Sequence, residues 1–429
     1  MNANPQLMTA VEQLGYRVTS GDVATQTGIH LEQARSGLLA LANRTGGHLQ
    51  VTDSGEVIYV FAPNFRQILL RKSVKLQIKA WLDRLLTVGF YLVKISFGIL
   101  LITSISAVYL TILAITLAAL FSNDSGADCG EGNCVLAIFD WGGSSSRNYS
   151  DPNSSIDRDT SSLAPIRAKT QRKPLNFLEA VFSVLFGDGN PNADLEQRRW
   201  RYIANLIHRQ QGVAIGEQIL PYLDNVGAGF DRRAFLPENA GNEDYMLPVL
   251  TKFNGIPEVS PTGQLVYHFP DLQTTLKDEP GLNNRVPQSL RERKWKFTKA
   301  TREQTGWTIG LFALNLVGII ILGLMLRGIS SSFISLAMTI LAVYGIGLVV
   351  IPSFRYLWVK HLDRQVRKRN NLRHQQVNLL QQGEQIQEKL DYAKQFAKQH
   401  KITDRDIIYT TEDDVLTQEF RRLDSRIDN

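Results

Sequence analysis

The sequence predicts a mainly α membrane protein with α+β soluble parts: two winged-helix-like modules, two apolar helical hairpins of which the first is alternatively a single span, and a long C-terminal helix. Three observations predict it. Leu85 to Phe121 and Thr305 to Ile351 are almost free of charge, interrupted only by Lys94 and Arg327. The chain as a whole is 44% hydrophobic and 21% charged, which suits folded aqueous domains on either side of those stretches. The sequence also repeats itself, because ALANRTGGHLQVTDSGEVIYVFAPN from Ala40 aligns without a gap on PVLTKFNGIPEVSPTGQLVYHFPDL from Pro248. One offset then pairs Gly47 with Gly255, Val51 with Val259, Gly55 with Gly263, Tyr59 with Tyr267 and Phe61 with Phe269.

Residues 1–62 read as the first winged-helix-like module. Thr19 or Ser20 caps a helix through Ala24, Gly28 supplies a turn, and Leu31, Ala34, Leu38, Leu39 and Leu41 give the next helix an apolar face. Leu49 to Phe61 alternates in hydrophobicity and breaks at Asp53, Ser54 and Gly55, the pattern of a two-strand hairpin. Residues 63–84 form a basic linker helix leading into membrane segment 85–121. Laid on the second apolar stretch, this segment becomes a hairpin turning near Ser104 to Ser106; the alternative is one long span. As a helix, Ala107 to Phe121 reaches only about 22 Å, which makes the second arm of such a hairpin shallow.

Residues 122–173 are an acidic loop rich in Ser, Asn and Asp, and 174–276 carry an apolar helix, Phe177 to Phe186, followed by the second module. In that module Trp200, Ile203, Leu206 and Ile207 mark a buried helix face, while NVGAGFDRRAFLPENAGNED is inserted after Asp224. GDGNPNAD resembles part of a calcium loop, but Ala193 stands where the glycine belongs and Arg199 where the final Glu belongs, so a turn whose Asn192 or Asp194 caps the next helix is the expected reading. A second basic linker, 277–304, precedes a transmembrane hairpin at 305–352 with a turn at RGISSS, and 353–429 is read as a cytosolic helical tail with apolar residues near coiled-coil spacing. TTEDDVLTQEF from Thr410 reads as a capped terminal helix.

The net charge of +6 is concentrated where the chain meets the apolar stretches, at Arg66 to Arg84, Arg291 to Arg302 and Arg355 to Arg373, as expected of cytoplasmic membrane flanks. Neither module has a basic reading face: the helix from Leu31 to Arg44 offers Arg35 and Arg44 beside Glu32, and its wing carries Asp53 and Glu56. Nucleic acid is therefore a disfavoured partner, since phosphate neutralisation supplies most nonspecific affinity. No Walker loop, GxGxxG, GxSxG, HExxH or CxxC pair occurs, which argues against an enzyme. The two cysteines, Cys129 and Cys134, are the candidate metal ligands; a cluster would need further donors, and free thiols or a disulfide are the alternatives. Lys94 aligns with Asn315, a pairing that would let two polar groups meet between hairpins.

FGDGNPN, EQRRWRYIA, GVAIGEQILPYLD and GQLVYHFPDLQ together resemble an uncharacterised multi-pass membrane protein family of cyanobacteria and chloroplast envelopes, over most of the chain. The resemblance implies an inner (plasma) or thylakoid membrane. Plant members sometimes carry the label iron-sulfur cluster biosynthesis family protein, which implies a cluster role but no catalytic residue. The expected function is a non-enzymatic membrane protein whose cytosolic modules bind protein partners, an assembly or biogenesis factor with no resident cofactor. A membrane-tethered transcription regulator and an iron-sulfur or metal-handling protein are the alternatives.

Overall fold

The computed structural model describes residues 4–72, 74–121, 176–223, 243–276, 286–327, 331–380 and 384–412. The chain divides into two compact units, one of Met1–Leu92, Asp188–Phe297 and Phe354–Asn429, the other of Val93–Gly187 and Thr298–Ser353.

Helix α1 (Pro5–Leu14) begins where the Asn4 side chain accepts the Gln6 N–H and ends at left-handed Gly15. Strand β1 (Arg17–Thr19) runs directly into α2 (Ser20–Thr27), whose cap is the reciprocal pair Thr19 and Asp22. Gly28, at φ 73°, turns the chain into α3 (Leu31–Thr45), which buries Leu31, Ala34, Leu38, Leu41 and Ala42 at helical spacing. Antiparallel β2 (His48–Thr52) and β3 (Val57–Val60) follow, with β1 on the far side of β3. Helix α4 (Phe65–Lys72) adds Phe65 and Leu69 to the core.

Helix α5 (Val74–Phe121) is continuous over 48 residues, and this corrects the hairpin expected at Ser104 to Ser106. No glycine or proline breaks the chain there, and the Ser104 hydroxyl accepts the Asn315 Nδ2–H at 2.9 Å from within the helix. The short second arm of a hairpin would in any case fall below the roughly 30 Å of a bilayer core.

In chain order there follow α6 (Phe177–Phe186), α7 (Leu195–Arg209), β4 (Val213–Ala214), α8 (Gly216–Ile219), α9 (Leu247–Phe253), β5 (Ile256–Val259), β6 (Leu265–His268) and β7 (Thr274–Thr275). The order α7-β4-α8-α9-β5-β6 matches α1-β1-α2-α3-β2-β3. The registers match as well: Val51 faces Val57 where Val259 faces Leu265, and Leu49 faces Tyr59 where Pro257 faces Tyr267. Both hairpin turns close with the same bonds, Thr52 N–H to the Glu56 carbonyl and Ser260 N–H to the Gln264 carbonyl, around Gly55 and Gly263 at φ 81° and 78°. The insertion after Asp224 lies outside the described residues.

These two sets share one core. Val11, Leu38, Phe61 and Phe65 belong to the same buried cluster as Ile203, Ile207, Phe253 and Phe269. At about 1.5–3 kcal/mol per fully buried large apolar side chain, either set alone would lose much of its driving force for folding.

The second apolar stretch forms α10 (Arg302–Met325) and α11 (Ser332–Leu380), the latter running through Pro352. Together with α5 they make three helices long and apolar enough to cross a membrane. In their own unit, Val108 and Ile112 of α5 pack with Ile319 and Leu322 of α10. The tail continues as α12 (Glu384–Ala393), β8 (His400–Lys401) and β9 (Ile407–Thr410). It departs from the wholly helical expectation, because β8 pairs with β7 in parallel and β9 adds a fourth strand beside β2. Thr410, expected to open a helix, ends that strand; the rest of the expected helix from Asp413 lies outside the described residues.

Candidate functional site

Cys129 and Cys134 lie outside the described residues. Lys94 is exposed, and the polar partner of Asn315 is Ser104 instead. Oxygen donors of GDGNPNAD are engaged within the protein: Asp194 pairs with Arg198 at 3.2 Å and Arg293 at 3.1 Å, Asn192 Oδ1 accepts the Arg293 backbone N–H at 2.7 Å, and Asn190 Oδ1 accepts the Asn192 N–H at 2.9 Å. Asp194 does occupy the N-cap of α7, but its carboxylate serves the arginines and not the helix. His208 Nδ1 is 3.0 Å from the Leu272 carbonyl, and His268 stacks on Phe396.

The first module turns its helix pair inward. Gly28 faces the backbone of α7, where an added Cβ would stand 2.5 Å from the Arg201 nitrogen. Beside it, Asn205 Nδ2 donates to the Thr25 carbonyl at 3.0 Å. Gly21 is equally close to Asp271, and the Thr275 hydroxyl donates to Asp22 at 3.0 Å. Arg35, the cation best placed on α3, stands 3.7 Å from Asp271 and 3.9 Å from Glu32. In the β2–β3 turn burial pushes the Glu56 carboxyl up, and Asp271 and Asp22 push the same way against Arg35. What α3 leaves to solvent is Gln33, Ser36, Asn43 and Leu39, the last 52% exposed, together with the charged Glu32, Arg35 and Arg44.

The tail closes over both modules. Strand β9 occupies the open edge of β2, with Gln50 opposite Thr410 and Val51 opposite Tyr409. Against the second module, Lys389 of α12 is 6% exposed and reaches Glu217 at 2.9 Å and Glu243 at 2.7 Å. Burial raises the Glu243 pKa, Lys389 opposes the rise, and Glu217 adds to it. Farther up the tail, Arg373 is only 1% exposed and binds Glu292 at 2.9 Å, which Arg369 also holds at 2.6 Å. Burial alone would raise the Glu292 pKa; hydrogen bonding to Arg369 and the charge of Arg373 bring it below the usual value. The sequence places Arg373 in a basic flank and gives no sign of either ion pair, because each acid partner is distant in sequence.

Among the described residues one set has metal-ligating types together: Asp53, His400 and Asp406, with ligand atoms all within 4.8 Å of one another. Two ligands of one ion at roughly 2.1 Å lie at most about 4.2 Å apart, and all three side chains are at least partly exposed. Asp406 Oδ2 also accepts the Thr403 N–H and hydroxyl, so the arrangement serves first to shape the turn before β9.

A chloroplast protein of Arabidopsis thaliana, itself described as uncharacterised, is 32% identical to this chain over 440 residues, covering 96% of this chain and 79% of that protein. No protein-family model matches the chain. No solved structure matches it.

Proposed function

The chain belongs to one family with that chloroplast protein of Arabidopsis thaliana, and from this premise we propose that it is a non-catalytic, membrane-anchored docking protein. The helix, strand and hairpin order supports reading each soluble half as a winged-helix-like module, and the common hairpin register supports descent from one duplicated unit. The observation that carries the reading is that surfaces a winged helix would offer to DNA are used inside the molecule. The β2 edge is covered by β9, the Gly28 turn backs onto α7, and Arg35 sits between two acids. Protein partners suit the remaining face around Leu39 better than phosphates do.

In this reading α5, α10 and α11 are membrane spans, in an inner or thylakoid membrane of a photosynthetic cell, and the modules lie in the cytosol or its plastid equivalent. Trp81, Trp307 and Trp358 support it, each standing exposed near the basic end of its own helix. Both modules belong to one core and so share one side, and α10 and α11 take the chain between Phe297 and Phe354 out and back as a pair. The chain has no resident cofactor in this reading.

A photo-crosslinking residue at Leu39 tests the proposal in cells. Reproducible capture of the same protein, lost when Leu39 is left unmodified, is the expected result. DNA retained by residues 1–62 within the intact protein at low salt, and lost in Arg35→Ala, would instead establish the transcriptional alternative.

A further inference from the structure

Two basic segments far apart in sequence run side by side. At one end the Phe297 ring meets Tyr356 edge-on at 6.0 Å and takes the Arg355 guanidinium over its face at 4.6 Å, while Arg355 also donates to the Phe297 carbonyl. At the other end the Asn370 amide brackets Glu292, accepting its N–H at 2.9 Å and donating to its carbonyl at 3.0 Å. Tyr356 and Asn370 are about 21 Å apart along a helix axis, so residues 292–297 lie extended and antiparallel along four turns of α11.

Charge on this strip is almost entirely of one sign. Lys360, Arg364 and Lys368 follow Tyr356 at four-residue intervals, on one side of the helix, and all three are exposed. Lys294 and Lys296 are exposed on the neighbouring segment. The only acids in 292–297 and 354–373 are Glu292 and Asp363, and both are committed: Glu292 to Arg369 and Arg373, Asp363 to Arg367 at 3.4 Å. Among the described residues no acid pairs with Lys294, Lys296, Lys360, Arg364 or Lys368.

We infer that this strip binds the headgroups of acidic glycerolipids. The inference rests on the membrane reading of α11. Phe354, Leu357 and Trp358 are exposed immediately before the cations on the same helix, an apolar and aromatic collar that belongs at the level of lipid acyl chains and carbonyls. Cations one to three turns beyond it fall at headgroup depth, where each contributes about a fivefold preference for an anionic surface. A soluble acidic partner would leave that collar without a counterpart.

The test uses the full chain, purified from membranes and reconstituted with phosphatidylcholine and phosphatidylglycerol together, with retained lipid counted by native mass spectrometry. The wild type is expected to retain phosphatidylglycerol preferentially. Combining Lys294→Gln, Lys296→Gln, Arg364→Gln and Lys368→Gln should reduce that preference by about a hundredfold or more, while the control pair Lys398→Gln and Arg405→Gln should leave it unchanged. Equal retention of the two lipids by the wild type, or an undiminished preference in the fourfold variant, would overturn the inference. So would equal thermal stabilisation by inorganic phosphate alone, which would assign the strip to free phosphate. Alkaline carbonate extraction separates the two levels: release of the wild type sinks the membrane reading, whereas firm retention without lipid preference sinks only the strip.

Discussion

Leu49 and Thr411 are joined twice: the Leu49 N–H donates to the Thr411 hydroxyl at 2.8 Å, and the Thr411 N–H donates to the Leu49 carbonyl at 2.9 Å. The counterpart of Leu49 in the second module is Pro257, which has no N–H to offer. Bonding of Ser260 to Gln264 fixes the alternation of that hairpin, so Pro257 and Val259 point their backbone groups outward, and the Val259 carbonyl already accepts the Tyr392 hydroxyl at 3.3 Å. Two similar sheet edges are thus distinguished by one residue, and β9 has a single place to dock.

Tyr409→Pro, placed opposite Val51, should detach β9 from β2. Each ladder bond lost is worth about 0.5–1.5 kcal/mol, so hydrogen exchange at residues 48–52 should accelerate by roughly tenfold or more. Exchange across 256–259 should not change. Equal acceleration in both hairpins would show that β9 supports the whole unit and not one edge.

Lys389→Met leaves Glu217 and Glu243 facing each other without their cation and should cost about 3–5 kcal/mol, read as a lower denaturation midpoint. Glu243→Gln keeps the Lys389 to Glu217 pair and should cost far less. The raised pKa of Glu243 means its contribution is greatest below the ordinary carboxylate range and is lost as pH rises through the folded value, so Glu243→Gln should also flatten that loss.

Glu292 has the opposite sign. Its lowered pKa gives a contribution present in full above the ordinary glutamate value of about 4.3, and lost as pH falls through the depressed folded value. Limited proteolysis of the tail should therefore increase in acid. Glu292→Gln should be cleaved readily already at neutral pH, with a shallower acid response; an unchanged neutral cleavage rate would show that Glu292 does not hold the tail.

Gly318 lets α5 and α10 approach closely, since a Cβ there would meet Val108 Cγ1 at 2.9 Å and Tyr109 Cε2 at 3.0 Å. Gly318→Leu should lower the thermal midpoint in detergent by an amount typical of overpacking, about 1–3 kcal/mol. Gly310→Leu, where nothing lies nearby, should be near neutral.

Local chemistry was the most legible part of the sequence. Thr19 with Asp22, Gly28, and the paired turns at Gly55 and Gly263 are all written within a few residues of the structure they make. Leu85 to Phe121 was ambiguous because composition constrains the length of an apolar helix but not its continuity. The ion pairs of the tail were illegible for a different reason: Glu292, Glu217 and Glu243 are distant in sequence and are brought against Arg373 and Lys389 only by tertiary packing. IIYT at Ile407–Thr410 did carry strand-forming residues, yet its partner strand lies at the other end of the chain.

That distance has a cost in time. Leu49 and Thr411 are separated by 362 positions, which at about 5–20 residues per second is roughly 20–70 s of synthesis. Throughout that interval the nascent β2 edge has no final partner, while the apolar helices downstream are still being made. The last strand among the described residues closes the first sheet, so a chain truncated before Ile407 leaves the ribosome with a permanently open template for aggregation.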